Sequence, residues 1–130
     1  MKKIFITTFV LLWSIASYAQ LYVPGEVLNY RMSYKAKFFP NTEVAKVTMQ
    51  TSETTLEGEP AYKVYGYGET AKVFSWILPV KDAYTIWIDP QTLRTRRFES
   101  DIHEGDYTFK SSYEFDWEDL NVHTRWRSRN

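Results

Sequence analysis

The chain has 130 residues with 16 basic and 16 acidic side chains, no cysteine, and 5 Trp, 10 Tyr and 8 Phe. This length allows one domain at most, and the lack of cysteine excludes a disulfide framework, a thiolate zinc site and a cysteine nucleophile. The balanced charge excludes the broad basic field that unspecific nucleic-acid binding requires. Because 44% of the residues are hydrophobic, the chain is also far too apolar to be disordered.

The N-terminal segment has the layout of a secretory signal peptide. Two lysines precede a mostly apolar run at residues 4–15, and the small residues Ser17 and Ala19 fit a signal-peptidase site. The run is shorter than the ~20 residues that a membrane-spanning helix needs. We therefore predict a signal helix at 1–19, a mature chain from Gln20 in the periplasm, and no stable membrane span after cleavage. An uncleaved membrane anchor is the alternative.

After this segment, apolar and polar residues alternate in a way that is typical of β-strands with one solvated face. The alternation predicts a strand at residues 28–38 and a second strand at 44–52. Pro40-Asn41, a dipeptide typical of turns, lies between them. The first two strands are therefore expected to form a hairpin.

The middle of the chain predicts a third strand and one short helix. A turn at residues 57–60 leads to a strand at 61–67, where Gly66 and Gly68 favour a bulge or a bend. Residues 69–78 place apolar side chains at helical spacing, and the proline that follows ends the segment. We predict a helix there.

Further alternation predicts a central strand at 82–88 with both faces apolar and covered. A proline-containing turn at 89–92 follows, and then an arginine-rich strand at 93–99 that is expected at an edge or facing solvent. A turn at 103–106 leads to the clearest alternation in the chain, at residues 107–115.

A last, short strand is expected at residues 121–126. Seven strands joined mostly by short turns indicate an antiparallel meander. Such a sheet must curl around its apolar face or be covered by another element. We therefore predict an all-β or mainly β fold: a curved antiparallel sheet or half-barrel of about seven strands with one short helix, preceded by the signal helix.

Several short motifs occur in a fixed order along the chain. They are Pro24-Gly25-Glu26-Val27-Leu28-Asn29-Tyr30 with Tyr34, Gly68-Glu69-Thr70, Val80-Lys81-Asp82 with Tyr84, Ile88-Asp89-Pro90-Gln91-Thr92-Leu93, Arg97-Phe98, His103-Glu104-Gly105-Asp106-Tyr107, and Phe115-Asp116. Together they resemble the DUF3108 family of exported bacterial proteins of unknown function. The resemblance implies a cell-envelope β domain at residues 20–130, no established reaction, and a longer family domain of which this chain is the N-terminal part.

An aromatic stripe is predicted on one face of the sheet, because its members share the apolar phase of their strands. They are Tyr30, Tyr34, Phe38, Tyr84, Tyr107, Phe109, Tyr113 and Phe115. Such a stripe is either ordinary core or, where a curved sheet lacks a full helical cover, the lining of an apolar cavity. All of these residues except Phe38 are the candidate ligand-binding residues.

Catalytic and metal motifs are weak in this sequence. The two histidines are His103 and His123, and the first has Asp101, Glu104 and Asp106 beside it. Histidine and carboxylates can hold a metal ion, but a solvated turn explains the same residues. The sequence has no Gly-x-Ser-x-Gly elbow, P-loop or Gly-x-Gly-x-x-Gly motif. We therefore predict no catalytic residues, no metal and no cofactor.

Two groups of arginines stand out. They are Arg94, Arg96 and Arg97, and then Arg125, Arg127 and Arg129 with Trp126 between them. Interleaved arginine and aromatic residues can follow an acidic polymer or lipid headgroups. A solvated strand face and a frayed terminus are the alternative, since the net charge is near zero.

The expected function is non-enzymatic binding of an apolar or lipid-like small molecule on the concave aromatic face. One alternative is a structural or interaction module whose unpaired sheet edge docks an envelope protein. The other is a metal-assisted hydrolase around His103. Nucleic acid is not an expected partner.

Overall fold

Alternating apolar and polar residues form the strands of this protein. The computed structural model describes residues 22–37 and 39–129. The strands are β1 Val27–Ala36, β2 Phe39–Leu56, β3 Glu59–Thr70, β4 Lys81–Ile88, β5 Thr95–Glu104, β6 Tyr107–Asp116 and β7 Asn121–Arg129. They form one sheet in which the order of strands equals their order in the chain. Every neighbouring pair is antiparallel. The predicted all-β, seven-stranded antiparallel meander is confirmed.

Tight turns produce this meander, and their residues explain the geometry. Glu57 and Gly58 both have positive φ, 56° and 85°, as a two-residue hairpin turn of type I′ requires. Gly105 also has positive φ, 61°, in the turn between β5 and β6. Asp89 and Asp116 each accept two backbone N–H groups from residues two and three positions later, at 2.7–3.1 Å. These contacts close the turns that follow β4 and β6.

The predicted helix at 69–78 is wrong. Its first two residues belong to β3, and residues 72–77 form successive turns, so the described chain contains no helix. Thr70 ends the strand by donating its hydroxyl to the carbonyl of Leu78 at 2.9 Å and accepting the N–H of Val80 at 3.0 Å. The loop between β3 and β4 contains two isolated helical turns, in which Ser75 N–H donates to the carbonyl of Ala71 at 3.0 Å and Leu78 N–H donates to that of Phe74 at 3.1 Å. These turns do not continue into a helix.

The turn predicted at Pro40-Asn41 is also misplaced, since both residues lie inside β2. The chain reverses between β1 and β2 earlier, where Ala36 pairs with Phe39. A proline is tolerated in this strand because the pairing of β2 with β3 ends at Ala45. The missing N–H therefore costs no ladder hydrogen bond on the β3 side.

The two glycines of β3 do not mark a bulge. The register runs through Gly66 and Gly68 without a shift on either side of the strand. Register shifts occur instead between β1 and β2, at residues 32–33 and 34–36, and between β4 and β5 after Trp87. The glycines therefore need another explanation.

The position of the arginine-rich strand differs from the prediction as well. β4 is the central strand, as expected, but β5 is an internal strand and the edges are β1 and β7. Arg97 of β5 is only 23% exposed and lies 2.9 Å from Glu114 of β6. Because a partner neutralises its charge, an arginine can occupy an interior strand.

The sheet is open and uncurled, so neither the predicted half-barrel nor the predicted cover on both faces of β4 is present in the described chain. Among the side chains that the structure describes, four apolar ones are buried; they are Leu56, Ala61, Val64 and Ile88. Three of them lie near the turns at one end of the sheet, after β2 and β4. The apolar residues elsewhere on the sheet remain largely in contact with solvent.

Two predictions fall on residues that the structure does not describe. They are the signal helix at 1–19 and the place of Phe38 in the aromatic stripe. In the part of the chain that is described, no helix has the length and apolarity to cross a membrane.

Candidate ligand groove

Strand register divides the side chains into two faces, because alternate residues of a strand share a side and paired residues match it. We define the apolar face by Leu28, Tyr30, Met32, Tyr34, Val47, Met49, Val64, Gly66, Gly68, Tyr84, Ile86, Ile88, Phe98, Ile102, Tyr107, Phe109, Tyr113, Phe115, Val122 and Trp126. The opposite, polar face carries most of the charged residues. All seven candidate ligand-binding residues lie on the apolar face.

Three rings form a row across the middle of the apolar face. Tyr84 stacks on Phe98 with ring centres 6.1 Å apart, and Phe98 packs against Tyr113 at 5.9 Å. Ring pairs at these separations stabilise beyond the area that they bury, by about 0.5–1.5 kcal/mol. Phe98 therefore connects two of the candidate residues, Tyr84 and Tyr113. Phe98 is not among the candidates predicted from the sequence, although its spacing from Ile102 places both residues on the same face of β5.

The other candidate residues are dispersed. Phe109 stacks on Trp126 of β7 at 6.4 Å, and Phe115 stacks on Trp117 at the same separation. The remaining three tyrosines are exposed; they are Tyr30, Tyr34 and Tyr107. The seven residues therefore share a face but do not converge on one pocket.

A groove of about 430 Å³ lies on the apolar face over β3, next to Tyr84. Its apolar lining includes Met32, Val47, Met49, Val64, Tyr84 and Ile86. Of the seven candidate residues only Tyr84 lines it. In the sequence, the signal for the groove is the pair Gly66 and Gly68, which favours a bulge or a bend when the strand is considered alone.

The two glycines create the groove because they place no side chain over the middle of β3. Neither has positive φ. A Cβ atom at Gly66 would meet the nearest atom, of Met49, at 3.9 Å, and one at Gly68 would meet Val47 at 3.7 Å. Both distances are ordinary contacts, so alanine would fit. Glycine inside a strand destabilises it by about 0.5–1 kcal/mol relative to alanine, and what it provides here is open space.

Charged and polar groups lie at one rim of the groove. Asp82 lines it and accepts the backbone N–H of His103 at 3.0 Å. Burial, and then the negative charges of Asp82 and Glu104, raise the pKa of the Tyr84 hydroxyl. The tyrosine therefore stays protonated, and the groove combines an apolar floor with hydrogen-bonding groups at its rim.

The second candidate site, around His103, is a charge cluster on the polar face. His103 Nε2 lies 2.8 Å from one carboxylate oxygen of Asp101, and Lys110 Nζ lies 2.8 Å from the other. The hydrogen bond from Lys110, followed by that from His103, lowers the pKa of Asp101. His123 lies far from this cluster. His103 pairs with Thr108 of β6 and His123 pairs with Glu114, so the two histidines are six positions apart along the strand direction, or about 20 Å.

No group of three described His, Asp or Glu side chains is placed to hold a metal ion. The carboxylate nearest His103 is occupied by a lysine. The metal-assisted hydrolase thus gains no support from this arrangement.

The first arginine group is engaged within the chain. Arg94 lies over the ring of Trp117 at 5.0 Å, and Arg97 binds Glu114 at 2.9 Å. Arg96 approaches a backbone carbonyl of β2 at 3.4 Å. A second groove of about 630 Å³ opens beside them, lined by carboxylates as well as arginines. Its charges are mixed, which does not favour an anionic ligand.

The fold and the groove define residues 22–37 and 39–129 as a single-layer antiparallel β-sheet whose apolar face no other described element covers. Residues 29–130 match the family model described as protein of unknown function, DUF3108. The chain belongs to the DUF3108 family, and the resemblance inferred from its ordered motifs is confirmed. No curated protein matches the chain. No solved structure matches it either.

Proposed function

We propose that this domain is a non-catalytic binding protein of the cell envelope that holds an apolar, lipid-like ligand on its apolar face. The observation that carries the proposal is the groove over Gly66 and Gly68. Its volume of about 430 Å³ lies within the ~300–1,000 Å³ of small-molecule sites. Glycines in strands often mark places where a ligand approaches the backbone closely.

The chemistry of the lining favours a hydrocarbon chain. The floor and walls carry aliphatic, thioether and aromatic groups, and methionines such as Met32 and Met49 adapt to irregular apolar shapes. Met32 is 55% exposed and nearby Tyr34 is 62% exposed. A ligand that covers such side chains gains about 25 cal/mol for each Å² of apolar surface that it removes from water.

The export predicted from the sequence agrees with the same proposal. The signal-like N-terminal segment would deliver the domain to the envelope, where lipids are abundant. A hydrogen-bonding rim at Asp82 and Tyr84 would let a ligand keep a polar end in water while its chain lies over β3.

The test fills the groove without touching the rest of the face. In Gly66→Leu the new side chain enters the groove, and the matched control Tyr65→Leu changes the neighbouring residue on the polar face. Native mass spectrometry of the full chain, purified from a membrane-containing lysate, shows whether lipid co-purifies. Titration with a fluorescent fatty acid then measures affinity. We expect Gly66→Leu to lose at least tenfold in affinity and Tyr65→Leu to bind like the unmodified protein.

Two outcomes would overturn the proposal. One is the absence of both co-purified lipid and fatty-acid binding in the unmodified protein. The other is equal fatty-acid affinity in the unmodified protein and in a folded Gly66→Leu variant, because binding would then lie elsewhere on the molecule. Circular dichroism of the variants checks that the sheet is retained.

A further inference from the structure

The loop between β3 and β4, residues 71–79, exposes a run of large apolar side chains, and we call it the apolar loop. Trp76 is 81% exposed, and Val73, Ile77 and Leu78 are each more than half exposed. None of these four side chains lines the groove. Single exposed apolar residues are normal on a protein surface, but contiguous ones mark sites of contact with proteins or membranes.

Hydrogen bonds fix both ends of the apolar loop. The N–H of Ala71 donates to the carbonyl of Val44 on β2 at 2.9 Å, and the N–H of Gly105 donates to the carbonyl of Pro79 at 2.8 Å. Thr70 holds the second half of the loop through its contacts with residues 78 and 80. The loop is therefore fastened to the end of the sheet, while its apolar side chains stay in solvent.

Part of the backbone of the apolar loop finds its partners within the loop itself. The carbonyl of Ala71 accepts the N–H groups of Phe74 and Ser75 at 2.8 and 3.0 Å, and the carbonyl of Phe74 accepts those of Ile77 and Leu78 at 3.0 and 3.1 Å. A protein partner can supply hydrogen bonds to a loop, whereas lipid chains cannot. Internal hydrogen bonds therefore lower the cost of moving this backbone into an apolar layer.

Lysines flank the exposed apolar side chains. Lys72 and Lys81 are both exposed, and neither forms a salt bridge with a described residue. The carboxylates closest to them in sequence, Glu69 and Asp82, belong to the strands and not to the loop. The stem of a lysine can lie along lipid chains while its ammonium group stays among the headgroups.

Two exposed tyrosines lie at the same end of the sheet as the apolar loop. Tyr34 is near the end of β1 and Tyr107 begins β6, and in an antiparallel meander both positions are at the end where β3 passes into β4. Tyrosine and tryptophan are enriched at the interface between membrane and water, because one part of the ring system is apolar and the other is polar. This end of the domain therefore combines the residue types of a membrane interface.

We propose that the apolar loop inserts into the interfacial layer of a lipid bilayer and docks this end of the domain on a membrane. Trp76, Ile77 and Leu78 enter the boundary between headgroups and acyl chains, as the apolar faces of interfacial segments do. Thr70 and Val80 line the groove, so docking brings its rim close to the lipid. Docking requires no ligand in the groove and is therefore independent of the proposed function.

The first experiment uses the absence of cysteine, which lets one label report on one site. Val73→Cys is labelled with the environment-sensitive fluorophore nitrobenzoxadiazole. The control is Gln91→Cys, an exposed site about 25 Å away at the other end of β4. Vesicles of phosphatidylethanolamine and phosphatidylglycerol are added, and a spin-labelled lipid then quenches any label within the bilayer. We expect the label at 73 to shift to the blue, at least double in intensity and be quenched, and the label at 91 to change little.

A second experiment removes the apolar side chains. In the labelled Val73→Cys protein, Trp76→Ser combined with Ile77→Ser should reduce partitioning into vesicles at least tenfold. Leu120→Ser is the matched control, because Leu120 is 80% exposed in the turn between β6 and β7, and it should leave partitioning unchanged. Fatty-acid binding without vesicles should be the same in all of these proteins, which separates docking from the function of the groove. Circular dichroism checks that the sheet is retained.

Three outcomes would overturn the proposal. One is the absence of a response at position 73, or an equal response at position 91, because insertion through the apolar loop requires a local signal. Another is an equal loss of partitioning in Leu120→Ser, which would indicate unspecific adhesion of apolar residues. The third is self-association without vesicles that the Trp76→Ser and Ile77→Ser substitutions abolish, since this would assign the loop to a contact between proteins.

Discussion

The two faces of this sheet are built from the same strands but are completed to different extents. On the polar face, Glu114 binds both Arg97 and Arg125, at 2.9 and 3.0 Å, and Asp101 binds Lys110 and His103. Those charges find partners within the domain. On the apolar face, some aromatic rings pack against one another, but many aromatic and aliphatic side chains stay exposed to solvent. These charges are therefore paired within the domain, whereas much of the apolar surface stays available.

This contrast indicates where stability and binding reside. Apolar burial is concentrated near the turns at one end of the sheet, at Leu56, Ala61 and Ile88. Of these three, only Ile88 lies on the apolar face, whereas Leu56 and Ala61 follow the phase of the polar face. The groove over Gly66 lies further along the apolar face, where side chains such as Met32 are more exposed. A ligand or a partner on that surface would therefore add burial that the chain alone does not achieve.

The largest expected effect tests the buried end of the apolar face. Ile88 is 2% exposed, and Ile88→Ala should lower the free energy of unfolding by about 2–4 kcal/mol, from lost transfer energy plus a cavity. Val122 lies on the same face but is 52% exposed. Val122→Ala should change the free energy by about 0.5 kcal/mol or less. Urea unfolding measures both variants, and equal losses would remove the distinction between the two parts of the face.

The next effect tests the polar face. Glu114→Gln removes the charge that faces two arginines, one of which is only 23% exposed. We expect a loss of about 1 kcal/mol in the free energy of unfolding, because Arg97 is left without its nearest anion.

The matched control for this substitution is Glu43→Gln. Glu43 also contacts two cations, Arg31 at 3.6 Å and Lys46 at 3.5 Å, but both are well exposed. Surface pairs of this kind contribute about 0–1 kcal/mol and are screened by salt. Losses of equal size in the two variants, vanishing together at high salt, would show that the cluster around Glu114 is no stronger than an ordinary surface pair.

The sequence was sufficient to predict the strands because period-2 alternation follows directly from backbone geometry. Residues 107–115 illustrate this, since one face of the predicted strand carries Tyr107, Phe109 and Tyr113 in the structure as well. The turns at Asp89 and Gly105 were predictable for a similar reason: their residues stabilise that local geometry by themselves.

The errors have a common physical cause, which is that local patterns do not specify pairing partners. Residues 69–78 have helical spacing, but β3 continues to Thr70 because it pairs on both sides. Pro40-Asn41 is typical of a turn, but a proline can lie in a strand where no neighbour needs its N–H.

The candidate site was predicted only in outline. Alternation identified the face, yet the groove depends on Gly66 and Gly68, whose missing side chains matter only because Val47, Met49 and Tyr84 stand around them. These side chains surround the glycines because of the registers of three strand pairs, β1 with β2, β2 with β3 and β3 with β4. The sequence of a single strand does not specify these registers. Two glycines, two residues apart inside a predicted strand, are the sequence signal that could have located the groove.

The smallest expected effect distinguishes the faces by pH. Lys110, and then His103, hold the pKa of Asp101 below the ordinary carboxyl value of 3.8, so the ionised carboxylate stabilises the fold. This contribution is fully present above that value and is lost as the pH falls through it to the lower pKa of the folded state. Asp101→Asn should therefore cost on the order of 0.5 kcal/mol at pH 7, as expected of a solvent-exposed pair, and nothing below the folded-state pKa. The loss in Ile88→Ala, which involves no titrating group, should not depend on pH. Urea unfolding at a series of pH values from 7 downward compares the two variants, and an Asp101→Asn loss that does not shrink as the pH falls below 3.8 would show that its side chain acts through packing rather than charge.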